Sequence, residues 1–173
     1  MGTSGGSHDE LVRAARGGDR AAFGQLYERY VNMVHGMLLA RIPYSDVADR
    51  VHDVFLTAMT QIHALRDDRA FGGWLARIAR NQAHDHHRRS RETAELPRDL
   101  AATERPDTDG RAVLAIIRSL PDAYRETLVL RLVEGMSGDE IAERTGLTSA
   151  SVRVNLHRGM AMLREKLGKG THS

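Results

Sequence analysis

The stretch "SGDEIAERTGLTSASVRVNLHR", residues 137–158, reads as two short helices joined by a tight glycine turn. Ser137 and Glu140 stand three apart before an apolar run, the spacing of a capping box that satisfies free backbone N–H groups at a helix start. Ile141 points to a core, and Ala142 sits where a larger side chain would push the two helices apart. Gly146 supplies the left-handed conformation that a sharp turn requires. Leu147 tucks back inward, and Thr148 or Ser149 caps the second helix. Val152, Leu156, Met160, Leu163 and Leu167 then form its buried stripe. The spacing of Ala142, Gly146 and Val152 suits two helices crossing near a right angle, which is a helix-turn-helix.

With that stripe turned inward, Thr148, Ser149, Ser151, Arg153, Val154, His157 and Arg158 fall on the open face near the helix start. There a recognition helix meets the major groove. Arginines reach guanine or phosphate, and a valine touches a thymine methyl. The bland alternative is a helical unit with a solvated charged face.

Upstream, residues 111–168 complete a small helical unit. Val113, Leu114, Ile117 and Leu120 make one stripe, Pro121 suits the first turn of the next helix, and Gly135 ends that helix after Leu128, Leu130 and Leu132. Residues 9–89 form a second unit. Its helical periodicity runs through Val12 and Ala15, then Leu26, Tyr30 and Val34 after an Asp19 cap. A third helix, capped by Ser45 or Asp46, extends to about His63. A fourth, from about Asp68 to Arg89, buries Phe71, Trp74, Leu75 and Ile78. No alternating strand pattern occurs, so the predicted fold is all-α, with two small helical domains.

Between them, residues 90–110 hold two prolines, six acids and three bases. This is the composition of a flexible acidic linker. Fully extended it spans about 70 Å, roughly two turns of DNA at 34–36 Å each. Residues 1–8 and 169–173 read as tails.

The 173 residues carry a net charge of only +2, so distribution matters more than the sum. Cysteine is absent, which excludes a disulfide framework, a thiolate metal site and a Cys nucleophile. No apolar run approaches the ~18 residues of a membrane span, and the N-terminus lacks the pattern of a secretory signal. A cytoplasmic location without membrane insertion is expected.

The fourth helix offers the second charged surface: Arg77, Arg80, Asn81, His84, Arg88 and Arg89, beside the polar loop Arg66–Arg69. Such a face can follow a phosphate backbone; solvated charge is the plainer alternative. Trp74 reads first as a core anchor and second as a base-stacking ring. "HDHHRR", residues 84–89, invites a metal-nuclease reading. On a helix His84 and His87 share a face while His86 points away, and no carboxylate cluster completes a site. The plainer reading is a polar helix face whose histidines charge below about pH 6.5. No cofactor and no catalytic residue are expected.

The block "DRAFGGWLARIARNQAHDHHRR", residues 68–89, resembles region 2 of the bacterial extracytoplasmic-function (ECF) RNA polymerase sigma factors. The match runs through Phe71, Trp74, Leu75, Ile78, Ala79, Asn81, Asp85 and Arg88. "DVADRVHDVFLTA" resembles the preceding helix of that family. "SLPDAYRETLVLRLVEGMSGDEIAERTG" and "SVRVNLHRGMAMLREKL" resemble region 4. Two motifs in order, joined by a linker of suitable length, are far more specific than either alone.

The resemblance implies a non-enzymatic protein that binds core RNA polymerase at its clamp and flap and directs it to promoter DNA. It implies minus-ten contacts at Arg66, Asp67, Asp68, Arg77, Arg80, Asn81, His84 and Arg88, and minus-thirty-five contacts at the seven residues between Thr148 and Arg158 named above. Asp49, His52, Asp53 and Leu56 match polymerase-binding positions, and an anti-sigma factor is an implied partner. The chain departs from the family pattern at Arg50, where leucine is usual, at His52, where glutamine is common, and at Val154–Asn155, which replace a frequent Ser-Arg pair. A weaker phosphate grip on the minus-thirty-five side is expected. The rival reading, a stand-alone operator-binding regulator, lacks a dimerising zipper and leaves the first unit unexplained.

Overall fold

The computed structural model describes residues 7–93 and 108–170. These form eight α-helices and two short 3-10 turns: α1 (His8–Arg16), α2 (Arg20–Leu39), α3 (Tyr44–Gln61), turns at Ile62–Ala64 and Asp68–Ala70, α4 (Phe71–Glu92), α5 (Thr108–Arg118), α6 (Asp122–Leu132), α7 (Gly138–Thr145) and α8 (Ser149–Gly170). No strand occurs among the described residues.

The helix boundaries follow local chemistry, with corrections. Ser7 caps α1 through a full capping box with Glu10, and His8 is helical, so the expected tail of 1–8 is shorter; residues 1–6 lie outside the described residues. Asp19 caps α2 by accepting from the Ala22 amide at 3.1 Å. Neither Ser45 nor Asp46 caps α3. The helix begins at Tyr44, two or three residues earlier, behind Pro43, which provides no side-chain bond; a proline is tolerated at a helix entry because the N–H it lacks would find no partner there. The expected linker of 90–110 is helical at both ends, since α4 reaches Glu92 and α5 begins at Thr108. The rest of it falls outside the described residues, apart from Thr93. Lys169 and Gly170, expected in the tail, extend α8.

The apolar core is continuous across the two units. In the first unit, Leu26, Tyr30, Met33, Val34 and Leu38 of α2 meet Val47, Val51, Val54 and Phe55 of α3 and Phe71, Leu75 and Ala79 of α4, all buried. Each fully buried aliphatic or aromatic side chain contributes roughly 1.5–3 kcal/mol. In the second unit, Ile117, Leu120, Leu128, Leu130, Ile141, Val152 and Leu163 are buried. Trp74 is only partly buried, packed against Phe71 with ring centroids 5.7 Å apart. Leu167, expected on a buried stripe, is 38% exposed, and Leu132 is 47% exposed. Leu132 lies at the last turn of α6 and Leu167 in the last turn of α8.

The two units touch. Helix α2 packs on α6 and α7, and α4 packs on α7.

Candidate nucleic-acid interface

The turn of the helix-turn-helix forms as its residues dictate. The Ser137 hydroxyl accepts from the Glu140 amide at 3.1 Å, the forward half of the expected box. Gly146 takes φ +79°, and its amide donates to the Ala142 carbonyl. Buried Thr145 adds a brace: its hydroxyl donates to the Ile141 carbonyl and accepts from the Leu147 amide. Thr148 caps α8, accepting from the Ser151 amide at 3.1 Å while its own hydroxyl donates to the Ser151 hydroxyl. Val152 is buried and Leu156 half-buried, so α8 is anchored by that stripe. Thr148, Ser149, Ser151, Arg153, Val154, His157 and Arg158 are all exposed. Spaced i, i+1, i+4 and i+5, the last four line one face of the helix. Among the described residues Arg153 and Arg158 have no ion-pair partner.

On α4 the positions 77, 81, 84 and 88 follow one another at three- and four-residue intervals, and Arg77, Asn81, His84 and Arg88 are exposed along that face. Arg88 leans on Asp85 at 3.5 Å. Arg89 is exposed as well. Arg80 does not belong to this open face. It lies a quarter-turn away, and its guanidinium grips Glu126 of α6 in bidentate fashion at 2.7 and 3.1 Å. In the loop, Arg66 is exposed. Asp67 caps the 3-10 turn by accepting from the Arg69 amide, and Asp68 pairs with Arg13 and Arg16 of α1. Both acids therefore hold the loop in shape. His86 is tied to Asp46 of α3 at 2.9 Å. Among the described residues no group of three or more His, Cys, Asp or Glu is arranged to hold a metal ion.

A third surface lies on α3. Asp49, His52, Asp53 and Leu56 fall at i, i+3, i+4 and i+7, one face of the helix, and Asp49, His52 and Leu56 are exposed. Arg50 bonds Asp53 at 3.1 Å, partly neutralising it. Sequence reasoning missed two further exposed apolar side chains: besides Leu56 at 43%, Met59 of α3 is 47% exposed and Tyr27 of α2, whose ring packs on Phe55 at 4.6 Å, is 41% exposed. Met59 lies three residues past Leu56, which was the available signal.

It also missed the contact between the units. Arg41 at the end of α2 reaches the Glu126 carboxylate at 2.7 Å, so two guanidiniums from the first unit share one buried carboxylate of the second. Burial by itself would raise the Glu126 carboxyl, but the hydrogen bonds and charges of Arg80 and Arg41 outweigh it and hold the group below its ordinary range. Arg118 of α5 donates to the Leu39 and Ile42 carbonyls at 2.9–3.1 Å, where the end of α2 leaves acceptors unpaired. His35 bonds Glu134 at 2.6 Å, and that hydrogen bond raises the His35 pKa against the opposing effect of burial. The backbones approach closely at glycines. A Cβ on Gly72 would collide with the Arg144 carbonyl oxygen, and one on Gly146 would stand 3.0 Å from the Gly73 Cα. The paired glycines of "FGGW" were the legible hint, since glycine inside a helical pattern marks close backbone approach.

Two helical domains, one a helix-turn-helix and the other carrying a basic helix face, define a class of DNA-reading protein with two separate grips. Residues 110–163 match the family model of Sigma-70, region 4, and residues 26–93 that of Sigma-70 region 2. The chain is 30% identical to the ECF RNA polymerase sigma-E factor of Haemophilus influenzae, over 91% of this chain and 93% of that protein. It is 33% identical to the RNA polymerase sigma factor NccH of Alcaligenes xylosoxydans, covering 90% and 91%. Among solved structures, CnrH in complex with the cytosolic domain of CnrY is similar with a TM-score of 0.64 at 30% identity, covering 95% of this chain and 99% of that one.

The chain belongs to the ECF RNA polymerase sigma factors. It carries sigma region 2 and region 4 and directs promoter-specific transcription initiation, binding core RNA polymerase and promoter DNA and catalysing nothing itself. No helix among the described residues is long and apolar enough to cross a membrane.

Proposed function

We propose that residues 9–89 serve as the polymerase-docking and minus-ten domain, residues 111–168 as the minus-thirty-five reader, and the acidic segment between them as a spacer that sets their reach. The α8 face of Thr148, Ser149, Ser151, Arg153, Val154, His157 and Arg158 meets minus-thirty-five base edges and phosphates. The observation that carries this is that all seven are exposed on a helix otherwise anchored by its buried stripe. Arg77, Asn81, His84, Arg88 and Arg66 track melted minus-ten DNA. Asp67 and Asp68 shape the base-capturing loop, and Arg80 joins the contacts once it is released from Glu126. Opening a duplex costs about 1.4 kcal/mol per step in stacking, part of which captured bases offset.

Asp49, His52, Asp53 and Leu56, extended by Tyr27 and Met59, dock on the polymerase clamp, and region 4 sits on the flap. An anti-sigma factor restrains the chain in the cytoplasm; the similar chain CnrH was solved with the cytosolic domain of CnrY. Run-off transcription with purified chain and core polymerase on a genomic promoter library tests the assignment. Chain-dependent initiation at a shared pair of elements is expected. Initiation that survives alanine at Arg153 and Arg158 together with Arg77 and Asn81 overturns the residue roles.

A further inference from the structure

We infer that the cavity where α1, α2 and α3 meet is a binding site for a small carboxylate with an apolar body, and that its occupant competes with Asp68 for Arg16. The site stands on its own geometry. Its consequence for promoter capture rests on the role assigned above to the loop Arg66–Arg69.

The chain passes from α1 into α2 through Gly17 and Gly18, the latter at φ +97°. Between that turn and the end of α3 lies an open cavity of about 390 Å³, within the roughly 300–1,000 Å³ of small-molecule sites. Much of its lining is apolar: Ala15 and Ile62 are buried, and Phe23 and Met59 complete the walls. The polar lining is mainly cationic. Arg16 and Arg20 contribute guanidiniums, His63 adds a ring nitrogen, and the one acid of the lining, Asp19, is occupied in capping α2. Arg20 is exposed and has no ion-pair partner among the described residues. An apolar body with one anionic head suits such walls. Burial of the body gives attraction without direction, and an arginine takes a carboxylate through paired N–H donors.

Arg16 ties the cavity to the loop. It lines the one and, through a terminal nitrogen, pairs with Asp68 in the other. That pairing leaves the guanidinium incompletely satisfied, because its Nε–H is buried with no acceptor among the described residues, and a buried donor without an acceptor is destabilising. A carboxylate in the cavity offers Arg16 a second acceptor, towards which the guanidinium can turn. Asp68 then keeps only Arg13, at 3.4 Å from a well-exposed side chain, and the loop that it anchors loosens. The coupling is reciprocal: the factor by which the occupant weakens the Arg16–Asp68 pair is the factor by which that pair weakens the occupant. A small molecule of this chemistry therefore lowers the capture of minus-ten bases without touching them.

The probe is 1-naphthoate, its neutral amide 1-naphthamide the control, and the nitrogen-15-labelled full chain the receptor. In amide correlation spectra, 1-naphthoate is expected to shift Ala15, Gly18, Phe23 and His63 saturably, and Asp68 and Arg69 with them. Loss of one exposed ion pair is expected to weaken binding roughly 3- to 5-fold, both when 1-naphthamide replaces the acid and when Arg20→Glu replaces the parent. Arg164→Glu, on α8, is expected to change nothing. Asp68→Asn gives up the rival acceptor and is expected to tighten 1-naphthoate binding by a similar factor, with unchanged helical circular dichroism. Saturating 1-naphthoate is expected to weaken binding of a fluorescent single-stranded minus-ten oligonucleotide by holoenzyme, an effect that Arg20→Glu diminishes. Shifts that scatter over the surface without saturation overturn the site. Equal affinity for acid and amide, or no loss with Arg20→Glu, overturns the anionic class of ligand. An Asp68→Asn variant that binds 1-naphthoate no more tightly overturns the competition for Arg16. A holoenzyme that fails to bind the oligonucleotide even without 1-naphthoate refutes the role of the loop and leaves the site standing by itself.

Discussion

Truncating Arg153 and Arg158 separates base reading from phosphate grip on the recognition helix. Both side chains are exposed and have no ion-pair partner among the described residues, so replacing either by alanine is expected to leave thermal stability within about 0.5 kcal/mol. The whole effect therefore appears in DNA binding. A bidentate contact to guanine is worth about 1–3 kcal/mol of discrimination, which corresponds to roughly 5- to 150-fold in affinity for the correct minus-thirty-five sequence. A phosphate contact instead weakens all sequences alike and lowers the salt slope by about 0.9 per contact. Fluorescence anisotropy of holoenzyme on promoter and scrambled minus-thirty-five duplexes, at several salt concentrations, distinguishes the two. Arg153, one turn nearer the capped helix start, is expected to read bases, and Arg158 to grip phosphate. If both alanine variants keep parental affinity, selectivity and slope, the α8 face is not the reading surface.

Restoring a cation with Asn155→Arg is expected to tighten promoter binding and steepen the salt slope by about 0.9, measured by the same titration; no change refutes the weaker-grip account. Arg50→Leu frees Asp53 from its 3.1 Å partner and is expected to raise affinity for core polymerase by up to about 5-fold, since an exposed pair is worth about 0–1 kcal/mol; surface plasmon resonance reads the change, and weakened binding contradicts it. Closure of the two domains is expected to depend on pH from both sides. Glu126 has a lowered pKa, so its contribution is present above the open-state value of about 4.3 and is lost as pH falls through the lower, closed-state value. His35 has a raised pKa, so its contribution is full below about 6.5 and is lost as pH rises through the higher, closed-state value. Distances between spin labels placed on the two units, read by pulsed EPR, should be shortest between those limits, and a distance independent of pH on both sides shows that these two groups do not hold the units together.

What the sequence made legible was whatever depends on neighbours along the chain. Gly146 announced its left-handed turn, Asp19 and Thr148 announced their helix starts, and the stripe of Val152 and Leu163 set which face of α8 stays open. These are short-range constraints with fixed spacing. The α3 start was misplaced because Ser45 and Asp46 have capping chemistry, while Pro43 acts through backbone geometry and makes no side-chain bond. The fate of Arg80 was illegible for a different reason. Its partner Glu126 lies 46 residues away across the linker, in a helix where a glutamate ordinarily marks a solvated face. No periodicity reports that two charged faces of separate domains will meet. Asp67 and Asp68 looked like base-facing groups by resemblance, whereas their bonds to the Arg69 amide and to the arginines of α1 show how the loop is held. The pattern marked candidate surfaces, and only the packing showed which of their side chains are engaged within the chain itself.

The account turns on polymerase setting the distance between two weak readers. Footprinting of one promoter by the isolated chain and by the reconstituted holoenzyme, each against excess non-specific DNA, tests this most directly. Protection of both elements is expected only with core polymerase present. Equal and selective protection by the chain alone would contradict it.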